Sequence, residues 1–250
     1  MTDNGIGGRF VPGMYLKQQR SKRSIAQLAE QRMHEWERNR LSSIKDQTEK
    51  ARVNNCICIS RKIGVGALEI ADLVAERTGL HVIDREILEY IANDTNLKQT
   101  AIDSFDERHP GVMNNIGAMV FGGVAFTMDD YMKHLISTVY SMADDSPIIF
   151  VGRGTHLILP RERTLAVRIV CSSVHRVRRV AEILDIDETE AAKKLEVEDR
   201  QQYEFFRRNF NKKEATPYEF DVTFNADYLP KAAGIAELIE QAYKVKFGSW

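Results

Sequence analysis

The sequence predicts an α/β protein: a parallel five-stranded sheet flanked by helices, with an N-terminal helical extension. Three observations predict it. From residue 55 onward, short β-like apolar runs alternate with segments of helical periodicity, the pattern of strands whose sheet is covered on both faces. The first run, Cys56-Ile57-Cys58-Ile59, enters a loop with Gly64 and Gly66 that opens directly into a helical pattern carried by Leu68, Ile70, Ala71, Leu73, Val74 and Ala75. Residues 1–54 differ in kind, with a Gly-rich leader before a strongly polar helical stretch.

That stretch, residues 16–52, places Ile25, Leu28, Met33, Trp36, Leu41 and Ile44 three and five residues apart, a narrow apolar stripe on one helix face. Basic residues outnumber acidic ones between Arg9 and Arg52, but Glu30, Glu35, Glu37 and Glu49 are interleaved. The stripe reads as a solvated helix docked on the main domain or on a second copy, the latter giving a homo-oligomer. An RNA- or acidic-partner arm and a membrane-surface helix are the sharper alternatives.

Strands are predicted at 56–60, 81–83, 148–151, 165–170 and 221–225, and helices at 67–78, 85–93, 128–143, 174–184, 188–208 and 231–245. Two insertions interrupt the alternation. Residues 94–126 are rich in Gly, Met and Asn and read as a cap; 187–217 are long, charged and helical and read as a lid. The domain proper is therefore 55–250.

Composition narrows the function classes. A net charge of −1 over 250 residues argues against a bulk nucleic-acid or membrane binder. No apolar run approaches the ~20 residues that span a bilayer, and MTDNGIGGRF lacks the apolar region of a secretory signal. Cys56, Cys58 and Cys171 lie in β-like runs without a partner at metal-ligand spacing, so they read as buried reduced thiols and no metal ligands are assigned. The expectation is a cytoplasmic protein.

Strand, glycine loop and helix in that order build a phosphate cradle: the glycines let backbone N–H groups approach an anion, and the helix N-terminus adds its dipole. In the common loop, a Lys and then a Ser or Thr follow the last Gly, the Lys on the phosphates and the hydroxyl on Mg²⁺. Here Ala67 and Leu68 follow Gly66. The other strand ends are polar: Ser60-Arg61-Lys62, Asp84-Arg85, Gly152-Arg153-Gly154, Ser172-Ser173 and Asn225-Ala226-Asp227. Ligands of open α/β sheets bind at such ends, and several guanidinium groups on one rim suit a polyanion.

These residues resemble the cytidylate kinase-like family, a branch of the nucleoside monophosphate kinases of the P-loop type, over roughly residues 56–246. The likeness rests on Ile59-Ser60-Arg61 with Gly64, Gly66 and Ile70-Ala71; on Asp84, Glu86, Ile87 and Leu88; on Val151-Gly152-Arg153; and on Asp221 with Asn225. It implies an ATP-holding core, an acceptor-holding cap and an arginine-bearing lid. Ser60, Arg61, Lys62, Gly64, Val65, Gly66, Ala67 and Leu68 would hold ATP, and Asp84, Arg85 and Arg153 the acceptor. Arg176, Arg179, Arg200 and Arg207 would neutralise the transferring phosphoryl group. The alternative for Arg200 and Arg207 is a ladder with Glu204 on a helix face. The chain departs from the family at Val65, where Ser is common, and at Ala67 and Leu68, where Gly and Arg are common. Arg61 or Lys62 would then serve the phosphates, and Ser60 or Asp84 the Mg²⁺. The leading expectation is ATP-dependent phosphoryl transfer to a nucleoside monophosphate, cytidylate first. The others are a nucleotide-binding protein without catalysis that signals or scaffolds, and a small-metabolite kinase of the same fold.

Overall fold

The computed structural model describes residues 53–93, 101–103, 105, 108, 109, 113 and 130–248, together with 27, 29–35 and 38 of the extension. Five strands, β1 Cys56–Arg61, β2 His81–Asp84, β3 Ile148–Val151, β4 Thr164–Val170 and β5 Val222–Asn225, form one sheet in the order β2-β3-β1-β4-β5. Every pairing is parallel, and Ile57 of central β1 stands opposite Ile149 on one side and Leu165 on the other. All of β1 is buried, which is why its sequence is a continuous apolar run rather than an alternation.

The helices are α1 Ala67–Thr78, α2 Arg85–Asn93, α3 Asp130–Asp145, α4 Thr155–Ile158, α5 Ser173–Leu184, α6 Glu188–Phe210 and α7 Ala232–Phe247. On one sheet face Ile57, Ile59 and Val167 pack with Ile70 and Val74 of α1, Val180 of α5 and Ile235 and Ile239 of α7. On the other, Cys58, Ile83 and Phe150 pack with Leu88 and Ile91 of α2 and Leu135, Ile136 and Val139 of α3. Ala29 and Met33 of the extension are buried in this second cluster beside Val53 and Cys56. The rest of the expected stripe, Ile25, Leu28, Trp36, Leu41 and Ile44, lies outside the described residues. So does most of the expected cap, of which Ala101 and Phe105 are buried.

Helix ends follow the local chemistry. Ser172 caps α5 by accepting from the His175 amide (3.2 Å), and Asp187 caps α6 by accepting from the Glu190 amide (2.8 Å). Strand β5 begins at Val222, and the Asp221 before it ties the strand start down, its amide donating to the Ala166 carbonyl (2.8 Å) and its carboxylate accepting from the Ala166 amide, Arg161 and Lys246. Cys171 is half-buried, less enclosed than the other two thiols. Burial raises the Cys56 thiol pKa to about 12 and the Cys171 thiol to about 11, so neither is a nucleophile at neutral pH. No described helix is long and apolar enough to cross a membrane.

The element that positions the site is α6. Its Ala191 and Leu195 belong to the first core cluster, whereas Phe210 belongs to the second. A helix anchored on opposite sheet faces must cross the sheet's edge, and at roughly 35 Å its 23 residues are long enough to do so. The crossing is over the carboxyl ends of the strands, since Gln202 donates to the carbonyl of Arg61, the last residue of β1 (2.8 Å).

Candidate functional site

The glycine loop is built as an anion cradle. Gly64 and Gly66 adopt left-handed backbone (φ +88 and +86), conformations that L side chains resist. Gly66 is the N-cap of α1 and brings no side chain to its end, so the first amides of α1 point past it without a capping group. Ala67 and Leu68 are buried in the core, facing away from that opening. A Cβ on Gly66 would lie 3.3 Å from the Arg179 guanidinium, so Arg179 of α5 rests directly on the loop. It donates to Glu69 Oε2 at 2.8 Å.

Arg176 ties this loop to α6. Its Nε donates to the Ile63 carbonyl (2.7 Å), while Nη1 and Nη2 make a two-pronged pair with Asp199 (2.9 and 2.6 Å). Lys62 lies 3.5 Å from the same carboxylate and is largely exposed. The side chains of Val180, Leu195 and Arg176 close over Gly64. Loop, α5 and α6 thus form one contact unit.

A second cationic centre gathers at the ends of β1, β2 and β3. Arg61 is buried, and its guanidinium lies beside Gly152, 3.5 Å from where a Cβ would stand. Arg85 pairs with Glu198 of α6 at 3.4 Å. Arg153 has a left-handed backbone (φ 49) between Gly152 and Gly154 and lies over the Phe205 ring of α6, 4.3 Å from its centroid. Burial, then the like charges of Arg85 and Arg61, push the Arg153 pKa down to about 9 against the attraction of Glu198. It stays a cation at neutral pH, at an electrostatic cost that an incoming anion would relieve. Asp84, at the end of β2, is buried and caps α2 by accepting from the Ile87 amide (3.0 Å).

The expected residues therefore fall into three places. Lys62 and the Gly64–Leu68 loop surround the end of β1, with Arg176 and Arg179 above it and Val65 buried with its neighbours, whereas Arg61, expected with the loop, turns its guanidinium to Gly152 and Arg153, and Ser60 turns to Arg168. Asp84, Arg85 and Arg153 stand together beyond β2 and β3. Arg200 and Arg207 lie on the exposed side of α6, where Arg200 reaches Glu196 at 3.4 Å. Four contributors were not anticipated. Glu198 and Phe205 bring α6 onto the arginines. On the β4 side, Arg168 donates to Ser60 Oγ (2.7 Å) and His156 faces Glu219 at 3.5 Å. A signal for Arg168 was present, since it interrupts the apolar run TLAVRIV inside a buried strand.

The two side chains expected to serve Mg²⁺, Ser60 and Asp84, are each already engaged. Leu68 has no hydroxyl and is buried, and the Ser60 oxygen already accepts from the Arg168 guanidinium. One Asp84 oxygen is committed to the α2 cap. Among the described residues there is no cluster of three His, Cys, Asp or Glu able to hold a metal ion.

The family model of the cytidylate kinase-like family matches residues 56–228, and the chain belongs to that family. None of the curated proteins compared with it matches in sequence. Among solved structures, an uncharacterized protein from Eubacterium ventriosum ATCC 27560 aligns with a TM-score of 0.56 and 18% identity, over 74% of this chain and 98% of that one. That likeness shows the fold. A shikimate kinase from Bacteroides thetaiotaomicron aligns with a TM-score of 0.37 and 14% identity, over 76% of this chain and 94% of that one, too remote to bear on this chain's chemistry.

Proposed function

We propose, for a chain of the cytidylate kinase-like family, that it transfers a phosphoryl group from ATP to a nucleoside monophosphate, cytidylate being the first acceptor to try. The observation that carries the reading is the gathering of Arg61 and Arg85 about Arg153, with Glu198 on Arg85, a site for a multiply charged phosphate at the strand ends. The loop amides between Gly64 and Leu68 would hold the ATP phosphates, and Arg179 beside Gly66 offers the cation that the loop no longer carries. An acceptor phosphate oxygen attacks the γ-phosphorus, the bond to the β-phosphate oxygen breaks, and ADP leaves with the nucleoside diphosphate as product. Little covalent chemistry is asked of the protein; position and positive charge do most of the work.

A second reading is a nucleotide-binding protein without transfer. Ala67, Leu68 and the occupied Ser60 hydroxyl favour it, because together they remove the loop's usual cation and metal ligand. Purified protein incubated with ATP, Mg²⁺ and a panel of monophosphates decides between the two. Diphosphate formation that disappears in both Gly66→Val and Arg153→Ala supports transfer. Melting-temperature shifts with ATP and cytidylate but no diphosphate support the second reading. Absence of both shifts overturns each of them.

A further inference from the structure

We propose that a cavity of about 410 Å³ on the β4 side of α6 is a second ligand site, taking a small molecule with a planar ring and an oxyanion group anchored on Arg168. The cavity is bounded by Ser60, His156, Arg168, Gln202, Tyr203 and Phe206, with Lys62, Lys212 and Lys213 at its margin. Its size suits one small metabolite.

Arg168 is the reason to expect an anion. Among the described residues it makes one hydrogen bond, to Ser60 Oγ at 2.7 Å, and the Phe220 ring lies 5.6 Å from its guanidinium carbon. It makes no ion pair among the described residues. A guanidinium has five N–H donors, and a half-buried cation without a carboxylate is unusual. Burial disfavours its charged form, and the distant Glu219 favours it. Of the three acids that line the cavity, Glu214 is exposed and the other two are already engaged. Asp199 is held by both arms of Arg176. Glu219 accepts from Lys212 (3.0 Å), from the Thr216 amide (2.9 Å) and from the Thr216 hydroxyl (3.1 Å). Lys62, Arg168, Lys212 and Lys213 still outnumber Asp199, Glu214 and Glu219 in the lining, so the cavity keeps a surplus of positive charge.

The walls specify the rest of the ligand. Tyr203 and Phe206, three residues apart on α6, give aromatic surface for a planar ring. His156 is buried and its pKa is lowered, burial outweighing the attraction of Glu219, so at neutral pH it offers a neutral imidazole. The site is distinct from the arginine centre because the two meet different faces of α6. Residues 199, 202, 203 and 206 line the cavity, whereas Glu198 and Phe205, seven apart on the neighbouring side, face Arg85 and Arg153.

The test uses phenyl phosphate, benzoate and inorganic phosphate, titrated calorimetrically into the full chain and into Arg168→Gln, Tyr203→Ala and Arg153→Ala. Phenyl phosphate or benzoate is expected to bind the wild type and Arg153→Ala within twofold of each other, and at least tenfold more weakly to Arg168→Gln. Tyr203→Ala, an exposed helix position that does not endanger folding, is expected to weaken the ring-bearing probes at least threefold and leave inorganic phosphate unchanged. Whichever ring-bearing probe binds more tightly assigns the oxyanion as phosphate or carboxylate. If neither binds the wild type, if Arg153→Ala removes the binding, or if Tyr203→Ala leaves the ring-bearing probes unaffected, the second site does not exist.

Discussion

Replacing Glu198 by Gln should weaken the ligand-free protein and strengthen its hold on a nucleoside monophosphate. Glu198 reaches the arginine centre from α6, and its carboxylate is 3.4 Å from Arg85 Nη1 with both side chains largely buried. At that distance and an effective dielectric constant of about 20, the attraction is roughly 5 kcal/mol. Desolvation of the two groups takes back part of it, so neutralising Glu198 should cost about 2–4 kcal/mol of folding stability. The loss is enlarged by the neighbours: Arg153 and Arg61 then repel Arg85 with less compensation, a repulsion that, after burial, helps to lower the Arg153 pKa to about 9. A monophosphate supplies the missing negative charge. Urea unfolding with and without saturating cytidylate measures both effects, with calorimetry for the affinity. The variant should be less stable alone, gain more from ligand than the wild type does, and bind cytidylate about tenfold more tightly, or about 1.4 kcal/mol. Weaker binding in a folded Glu198→Gln protein would falsify the idea that this carboxylate stands where the acceptor phosphate goes.

Three further outcomes follow from the same geometry. Gly154→Ala places a Cβ 2.6 Å from Phe210 Cε2 at a φ of +68; left-handed strain and overpacking together should cost about 2–4 kcal/mol by urea unfolding, and a change under 1 kcal/mol would show that Phe210 is free to move. Asp199→Asn breaks the two-pronged pair with buried Arg176; it should cost about 2–4 kcal/mol and speed amide exchange in both α6 and the glycine loop, whereas exchange confined to one of them would disprove their coupling. Burial lowers the His156 pKa, so the unfolded chain takes up that proton first as pH falls below about 6.5; this contribution to stability is complete above that pH and declines toward the folded-state pKa, giving a slope between pH 7 and 5 that the His156→Gln variant should lack.

The fold was legible because its signals are local. β1 and its glycine loop show the apolar run and the left-handed positions that only Gly takes easily, and the strands of the sheet fall within a residue or so of their predicted ends. Helix α4 was not visible, since the single turn Thr155–Ile158 is too short for a periodicity to register. The gathering of arginines at strand ends follows from strand order and could be anticipated. Glu198 could not, because its value depends on how α6 is rotated as it crosses the sheet. In the run EVEDRQQYEFFRR every side of the helix carries charge, and only Ala191, Leu195 and Phe210, anchored in opposite core clusters, fix that rotation. The same rotation sends Arg200 toward Glu196 and solvent while it turns Asp199 toward Arg176.

In this conformation the cations of the strand ends hold carboxylates of the protein's own. Arg179 holds Glu69, Arg176 holds Asp199 and Arg85 holds Glu198. Phosphate binding at the loop or at the arginine centre is then an exchange of one anion for another, and its free energy is a small difference between two large attractions. Such a site favours a dianion over a monoanion, because only the higher charge outbids an internal carboxylate. It also links ligand to helix: a phosphate that displaces Glu198 or Asp199 releases a contact holding α6 across the strand ends. Arg168 differs, since it has only a serine hydroxyl and gains an anion without first giving one up. Two anions entering at adjacent faces of α6 would therefore act on it differently, one loosening its grip on the arginine centre and the other bridging it to β4.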